Sequence, residues 1–281
     1  MGIVLKIRGK KAAPGAEKLL KDVRVNDGSL LLHDFANGGS FVNEDIKDGS
    51  QLFDLSDDIS RAMGIDNSTR LVTDVDKKDS VIFTEGKGID FQSITSGAST
   101  SNPRGFNLGM GIVNYLKANN PRFLAIFLIR VKSEGNNSGR IVTTNSPASA
   151  PIINFQATSA VSCRMAGATS GAMSLVTDQF MQYAFEFQGV GLPIIRYVNG
   201  AYQGTGPENA TGFDTIETAI PLVIGARDVN VASIYYYGTN FYDLDKAGKS
   251  AEQLVREDYE YITGTGIFEG KGTRRPYVDT I

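Results

Sequence analysis

The nine residues from Phe123 to Val131 read Phe-Leu-Ala-Ile-Phe-Leu-Ile-Arg-Val, with a single charge near the end. The run lacks the polar alternation of a half-solvated strand, and it falls far short of the roughly 20 apolar residues a membrane helix needs. A short, nearly continuous apolar run of this kind is expected to be a central β-strand buried on both faces. Other strands must then flank it, and something must cover each of its faces.

Candidate neighbours occur at short spacing on both sides. Leu30 to Phe35 is a β-like run closed by Asn37-Gly38-Gly39, and polar, acidic loops occupy residues 43–50 and 54–80 around the Leu52-Phe53 pair. Ser80 to Phe83 and Ile89 to Phe91 are short strands about Gly86-Lys87-Gly88. Arg140 to Thr144, Ile152 to Ala157 and Val161 to Met165 follow, then Tyr183 to Phe187 and Ile194 to Val198. Asn199-Gly200 is a two-residue hairpin signal, since both residue types tolerate positive φ, and Ala201-Tyr202-Gln203 returns from it. Pro221 to Gly225 and Val231 to Tyr237 supply two more strands. Glycine, at 31 residues against 9 prolines, fits many tight turns rather than a proline-rich disordered chain.

The two ends read differently from the middle. Ser250-Ala251-Glu252-Gln253 has the form of a capping box, in which Ser250 accepts from the Gln253 N–H and the Gln253 side chain answers. A helix over 250–262 places Val255, Tyr259 and Ile262 on one face, expected against the sheet. At the start, Ile3-Val4-Leu5-Lys6-Ile7 is strand-like, Gly9 to Gly15 is a hinge, and Leu19, Leu20 and Val23 form a short amphipathic piece too small to bury its own core. Residues 1–27 are therefore expected to be an attachment arm, 28–270 one sandwich, and 271–281 a tail.

Four segments then gain meaning together: Leu31-Leu32-His33-Asp34-Phe35 with Asp54-Leu55-Ser56; Gly88-Ile89-Asp90-Phe91; Tyr197-Val198-Asn199-Gly200; and Leu222-Val223-Ile224-Gly225 followed by Glu252 to Tyr261. In this order the chain resembles the concanavalin A-like jelly-roll sandwiches, in their laminin-G-like branch, over residues 28–262. The resemblance implies an all-β, antiparallel jelly-roll β-sandwich with one short C-terminal helix. The chain departs from the pattern in having no tryptophan, and Phe35 with Ile129 or Tyr183 takes those places. The fold serves lectins, glycosidases, adhesion modules and viral structural proteins, so it carries no single function.

Glucanases of this fold carry alternating acids along one strand, because a retaining pair must stand about 5–5.5 Å apart. The strands here offer no such array, and Glu257-Asp258-Tyr259-Glu260 falls on the expected helix, as a solvated face. His33 is the only histidine, so any catalytic triad must use it, yet no nucleophile motif flanks it. Cys163 is the only cysteine, which excludes an internal disulfide and a cysteine-based zinc cluster and suits a packed small residue. Calcium is the metal the resemblance implies, with Asp74, Asp76 and Asp79 as candidate ligands. Asp54, Asp57 and Asp58 form a second acidic loop, and neither loop has hand-type spacing. No other cofactor is expected. For a glycan, the richest cluster is Tyr235-Tyr236-Tyr237 with its sequel, giving Tyr236, Asn240, Phe241 and Tyr242 as candidates, although alternation buries at least one ring of the three.

The formal net charge is -3. Basic residues gather only at the ends, in Lys6, Arg8, Lys10 and Lys11 and in Lys271, Arg274 and Arg275, so nucleic acid is not an expected partner. Ile3-Val4-Leu5 is too short for a signal-peptide core, and synthesis in the cytosol without membrane insertion is expected. Three functions compete. The first is a bacteriophage virion structural protein, tail- or baseplate-associated or a capsid decoration, whose partners are other virion proteins, copies of itself and cell-surface carbohydrate. The second is a free lectin-like module, and the third a diverged hydrolase, which the missing carboxylate array disfavours. The separate arm and the lack of an export signal favour the first, with Ile3, Val4, Leu5, Lys6 and Ile7 adding to a neighbour's sheet.

Overall fold

A computed structural model of the chain describes residues 22–35, 53–66, 70–72, 81–84, 88–91, 104–134, 139–144, 151–217, 220–226 and 232–264. In chain order its elements are β1 (Ser29–Asp34), α1 (Asp57–Ala62), β2 (Arg70–Val72), β3 (Val81–Thr84), β4 (Gly88–Phe91), β5 (Arg104–Asn107), α2 (Gly111–Asn119), β6 (Phe123–Val131), β7 (Gly139–Thr143), β8 (Ile153–Ala157) and β9 (Ala160–Met165). Then come β10 (Ala168–Thr169), β11 (Met173–Ser174), β12 (Met181–Phe187), β13 (Pro193–Val198), β14 (Ala201–Asn209), β15 (Val223–Ala226), β16 (Ile234–Asp243) and α3 (Ala251–Thr263). The first sheet runs β14-β13-β12-β6-β16-β4-β3, with β1 also on β16; the second runs β10-β9-β8-β7-β15-β5-β2, with β11 on β9. The named strand pairs are antiparallel, and the two sheets pack face to face as an all-β sandwich.

β6 lies between β12 and β16, where its apolar run places it. Phe123, Ala125, Phe127, Ile129 and Val131 point into the core between the sheets, while Leu124, Ile126 and Leu128 join a second cluster on the opposite face. In the main core Phe127 stacks on Phe155 of the second sheet, with ring centroids 4.2 Å apart and planes 4° from parallel. Phe241 meets Phe127 edge-on. The second cluster is closed by α3, through Ala251, Leu254, Val255 and Ile262. Burying each such aliphatic side chain stabilises by roughly 1.5–3 kcal/mol, enough to hold a short helix on a sheet. The Ser250 side chain accepts from the Gln253 N–H as expected, but the Gln253 side chain donates to Glu257 (2.7 Å) instead of completing a capping box.

β16 runs past the expected end at Tyr237, to Asp243. Its register against β6 shifts between Tyr236 and Gly238, leaving Tyr237 as an extra residue. Before the bulge Tyr236 faces the main core and Tyr235 and Tyr237 face the α3 side; after it, Phe241 faces the main core and Tyr242 the α3 side. β14 likewise extends beyond the expected return Ala201-Tyr202-Gln203, to Asn209.

Three further expectations are corrected. α1, α2 and the strands β2 and β5 lie in stretches read as loops or left unread; Ile112, Val113, Tyr115 and Leu116 of α2 are buried against the core. The acids of α3 are not one solvated face, because Asp258 is buried at 1% exposure. Residues 22–27, assigned to the arm, pack on the sandwich, with Arg24 6% and Val25 9% exposed. The remaining arm residues, including Ile3, Val4, Leu5, Lys6 and Ile7, lie outside the described residues, as do Asp74, Asp76 and Asp79.

Candidate functional site

The aromatic cluster chosen from sequence is not open to a ligand. Tyr236, Asn240 and Phe241 have no exposed surface and Tyr242 has 1%. The cause is that both faces of this strand end are covered, one by the second sheet and the other by α3. Phe241 fills the main core, and Tyr242 reaches the Arg24 carbonyl with its hydroxyl (3.3 Å). Asn240 donates to the Asp258 carboxylate at 2.6 Å.

The buried carboxylates act as ties between elements. Asp258 of α3 also accepts from the Gln182 amide of β12 (2.9 Å), so it fastens the helix to two strands. Beside it Arg24 pairs with Asp22 (2.9 Å), Asp34 (2.7 Å) and Asp258 (3.6 Å) and lies over the Tyr261 ring. Burial alone pulls the Arg24 pKa down, and the three acids outweigh it and raise the pKa well above its ordinary value. The cavity beside this tie, lined by Arg24, Tyr242, Lys249, Leu254, Glu257 and Asp258 among others, holds about 90 Å³. Ligand pockets run to roughly 300–1,000 Å³, so it has room for a few waters and no more.

Asp54 of the aspartate-x-serine segment accepts from Leu32 N, Ser56 N, Ser56 Oγ and Ser60 Oγ at 2.7–3.0 Å, which locks α1 onto β1. Asp57 pairs with Arg61 on the same helix. Among the described residues no group of three or more His, Cys, Asp or Glu is placed to hold a metal ion. His33 is fully buried; burial pushes its pKa down to about 4, and the nearby Asp54 pulls it partly back. Among the described residues neither ring nitrogen has a hydrogen-bond partner. Cys163 is buried too, and burial pushes its thiol pKa far up, away from the thiolate.

The pair with most chemical interest is Tyr197 and Glu186, whose phenol donates to the carboxylate at 2.7 Å. Burial raises the Tyr197 pKa, and Glu186 raises it further, the opposite of what activating a phenol as nucleophile requires. Arg122, half-exposed, stands 3.6 Å from the other oxygen of Glu186.

Tyr197 (4% exposed) and Glu186 (5%) are themselves covered, Tyr197 within the α3 cluster, and the outer face becomes exposed beyond them at the β14 edge. Residues directly opposite in an antiparallel pair share a face. Tyr202 opposes Tyr197, which opposes Ala184; Thr205 opposes Ile195, which opposes Glu186; and Asn209 opposes Pro193. The outer face of β12–β14 thus presents Tyr202, Thr205 and Asn209 in one exposed row along β14. Tyr202, 56% exposed, meets the Tyr197 ring at 6.2 Å and 76°. The hairpin fixes this geometry: Asn199 (φ 49°) and Gly200 (φ 82°) adopt the left-handed conformations of a tight two-residue turn. At the far end the turn between β12 and β13 exposes Val190 and Leu192. From sequence Tyr202 read only as a residue returning from the hairpin; nothing in the pattern told which outer face the helix would leave uncovered.

No protein-family profile matches the chain, and no curated protein does. Solved structures do. The chain is similar to the botulinum neurotoxin serotype D binding domain over 85% of its own length and 54% of that chain, at 14% identity and a TM-score of 0.52. It is similar to the Trypanosoma rangeli sialidase in complex with the inhibitor DANA over 82% of its length and 32% of that chain, at 12% identity and a TM-score of 0.50. The same sialidase in complex with sialic acid aligns over 81% at the same identity and score. The chain thus spans about a third of the sialidase and about half of the toxin domain. At such identities the likeness is one of fold, and it agrees with the concanavalin-like, jelly-roll type of sandwich.

Proposed function

We propose that the chain is a non-catalytic binding and assembly module of a bacteriophage virion, tail- or baseplate-associated, with its arm as anchor and its sandwich turned toward partners that include cell-surface carbohydrate. The observation that carries this reading is the tie around Arg24. It clamps the root of the arm, residues 22–27, onto the sandwich beneath α3, so that a hold on the arm fixes the orientation of the whole domain. A module made for presentation needs such a rigid root and a contact surface elsewhere. The exposed row along β14 supplies the second.

Support for a non-catalytic role comes from the acids. Asp54, Glu186 and Asp258 are each buried and committed to fixed partners, which suits them to holding elements together rather than moving protons to a substrate. Mass spectrometry of purified particles tests the assignment directly, alongside a chain lacking residues 1–21. The full chain is expected in particles, and the truncated chain is expected to fold but stay out of them. Absence of the full chain from particles overturns the virion reading. Turnover of β-glucans, chitin, alginate or peptidoglycan that is lost in Glu186→Gln overturns the non-catalytic one. A second reading, a free lectin-like module, is favoured by the exposed Tyr202 ring, and it predicts saccharide binding with no incorporation into particles.

A further inference from the structure

We infer that the outer face of β12–β14 is a saccharide-binding site, with Tyr202 as the stacking ring and Thr205, Asn209 and Arg122 as hydrogen-bonding groups. The inference rests on the binding-module reading above and gives it a place on the molecule.

The chemistry of the face selects the ligand. A saccharide ring offers an apolar C–H face bordered by hydroxyls, so it needs an exposed aromatic ring with hydrogen-bonding groups close by. Tyr202 is the exposed aromatic here, and its edge-to-face packing on the buried Tyr197 holds it in place. Beneath the face, Tyr197 is hydrogen-bonded to Glu186, and Glu186 faces Arg122, whose guanidinium reaches solvent. A ring, a hydroxyl, an amide and a guanidinium therefore border one shallow surface. Tyr202 and Asn209 oppose Tyr197 and Pro193, four residues apart on β13, which is about 13 Å along a strand and suits a short oligosaccharide.

A protein partner fits this face less well. Stable interfaces bury on the order of 800 Å² per partner around a contiguous, fully buried apolar centre. The exposed large hydrophobics among the described residues are Val190, Leu192 and Tyr202, and Tyr202 is separated from the other two by the length of β13. An enclosed small-molecule site is excluded by the openness of the sheet. The back of the face is not free to move either, since the Gln182 side chain accepts from Gly200 N at the hairpin (2.9 Å) and donates to α3.

The test uses the full chain on an array of O-antigen, capsular and peptidoglycan-derived oligosaccharides, both neutral and uronic-acid-containing. Three variants accompany it: Tyr202→Ala, Tyr202→Phe and Thr205→Arg. Both positions are exposed, and urea unfolding of each variant checks that the sandwich is intact. Binding by the unmodified chain, about tenfold weaker in Tyr202→Ala, kept in Tyr202→Phe and blocked in Thr205→Arg, supports the site; tenfold corresponds to the loss of one good aromatic stacking contact. Binding that survives Tyr202→Ala and Thr205→Arg overturns the assignment of this face while leaving a binding module intact. No binding by the unmodified chain overturns a saccharide as its ligand. Incorporation into particles, read separately, then decides the virion assignment.

Discussion

Replacing His33 by leucine is expected to leave the stability of the sandwich at pH 7 little changed and to make it markedly less sensitive to acid. The ring is fully buried, with Phe35 at 5.3 Å, and burial pushes its pKa down to about 4 despite the pull of Asp54. In the unfolded chain a histidine takes up its proton near pH 6.5. Between pH 6.5 and 4 the unfolded state therefore holds the proton and the folded state does not, so folding stability falls as pH falls through that window. A difference of some 2.5 pKa units at 1.36 kcal/mol each gives a loss of about 3 kcal/mol by pH 4. At neutral pH the two ring nitrogens, unpartnered among the described residues, are already a cost of order 1–3 kcal/mol, which leucine removes and imperfect shape partly returns. Urea unfolding of both proteins at pH 7, 6, 5 and 4, followed by circular dichroism, checks this. The free-energy gap should widen by about 3 kcal/mol in favour of His33→Leu, because every other titrating group is common to both. Parallel pH profiles would mean that the imidazole reaches a proton-binding partner in the folded protein, and the argument from burial would fail.

Phe127→Ala should cost about 3–5 kcal/mol in urea unfolding, since it removes a fully buried ring stacked on Phe155, and a loss below about 1 kcal/mol would contradict a central β6. Arg24→Met should cost a similar 3–5 kcal/mol by leaving Asp34 and Asp258 buried without their cation, and a near-neutral result in the same assay would show that the tie does not hold the arm root. Cys163 should react with a thiol reagent only on unfolding, because burial keeps it protonated and out of reach; rapid labelling of the native chain would refute that placement.

How legible each element was depended on how many layers it touches. β6 is covered on both faces, so its apolar run is uninterrupted and its place could be read directly. α3 announced itself through Ser250 and the stripe of Val255 and Ile262. Its docking did not, because it depends on Asp258, an acid indistinguishable in sequence from its half-buried neighbours Glu257 and Glu260 until Gln182, Asn240 and Arg24 are brought around it. α2 carries a readable stripe in Ile112, Val113, Tyr115 and Leu116, but Gly109 and Gly111 suggest a turn just where the helix begins. The candidate site was misplaced for a topological reason. Sequence shows which residues are aromatic, whereas the choice between Tyr236 and Tyr202 depends on where α3 ends and which strand forms the sheet edge.

The extra residue at Tyr237 makes β16 a strand of two phases, and this ties the identity of its last residues to the bulge itself. Every substitution after the bulge acts at one position. Pairing the same residues without the bulge would instead act as a spatial frameshift, carrying simple alternation from Tyr236 to the end of the strand. Asn240 and Tyr242 would then face the phenylalanine core, and Phe241 would face the helix. Asp258 would lose its amide partner, and Phe127 would lose its edge-on contact, through a slip of one residue. Deleting Tyr237 removes the bulge without that slip, because Tyr236 and Gly238 already oppose the consecutive residues Ile129 and Leu128, so chains that share this fold while lacking the bulge would be one residue shorter here or need different residues from 238 to 243 to keep both layers.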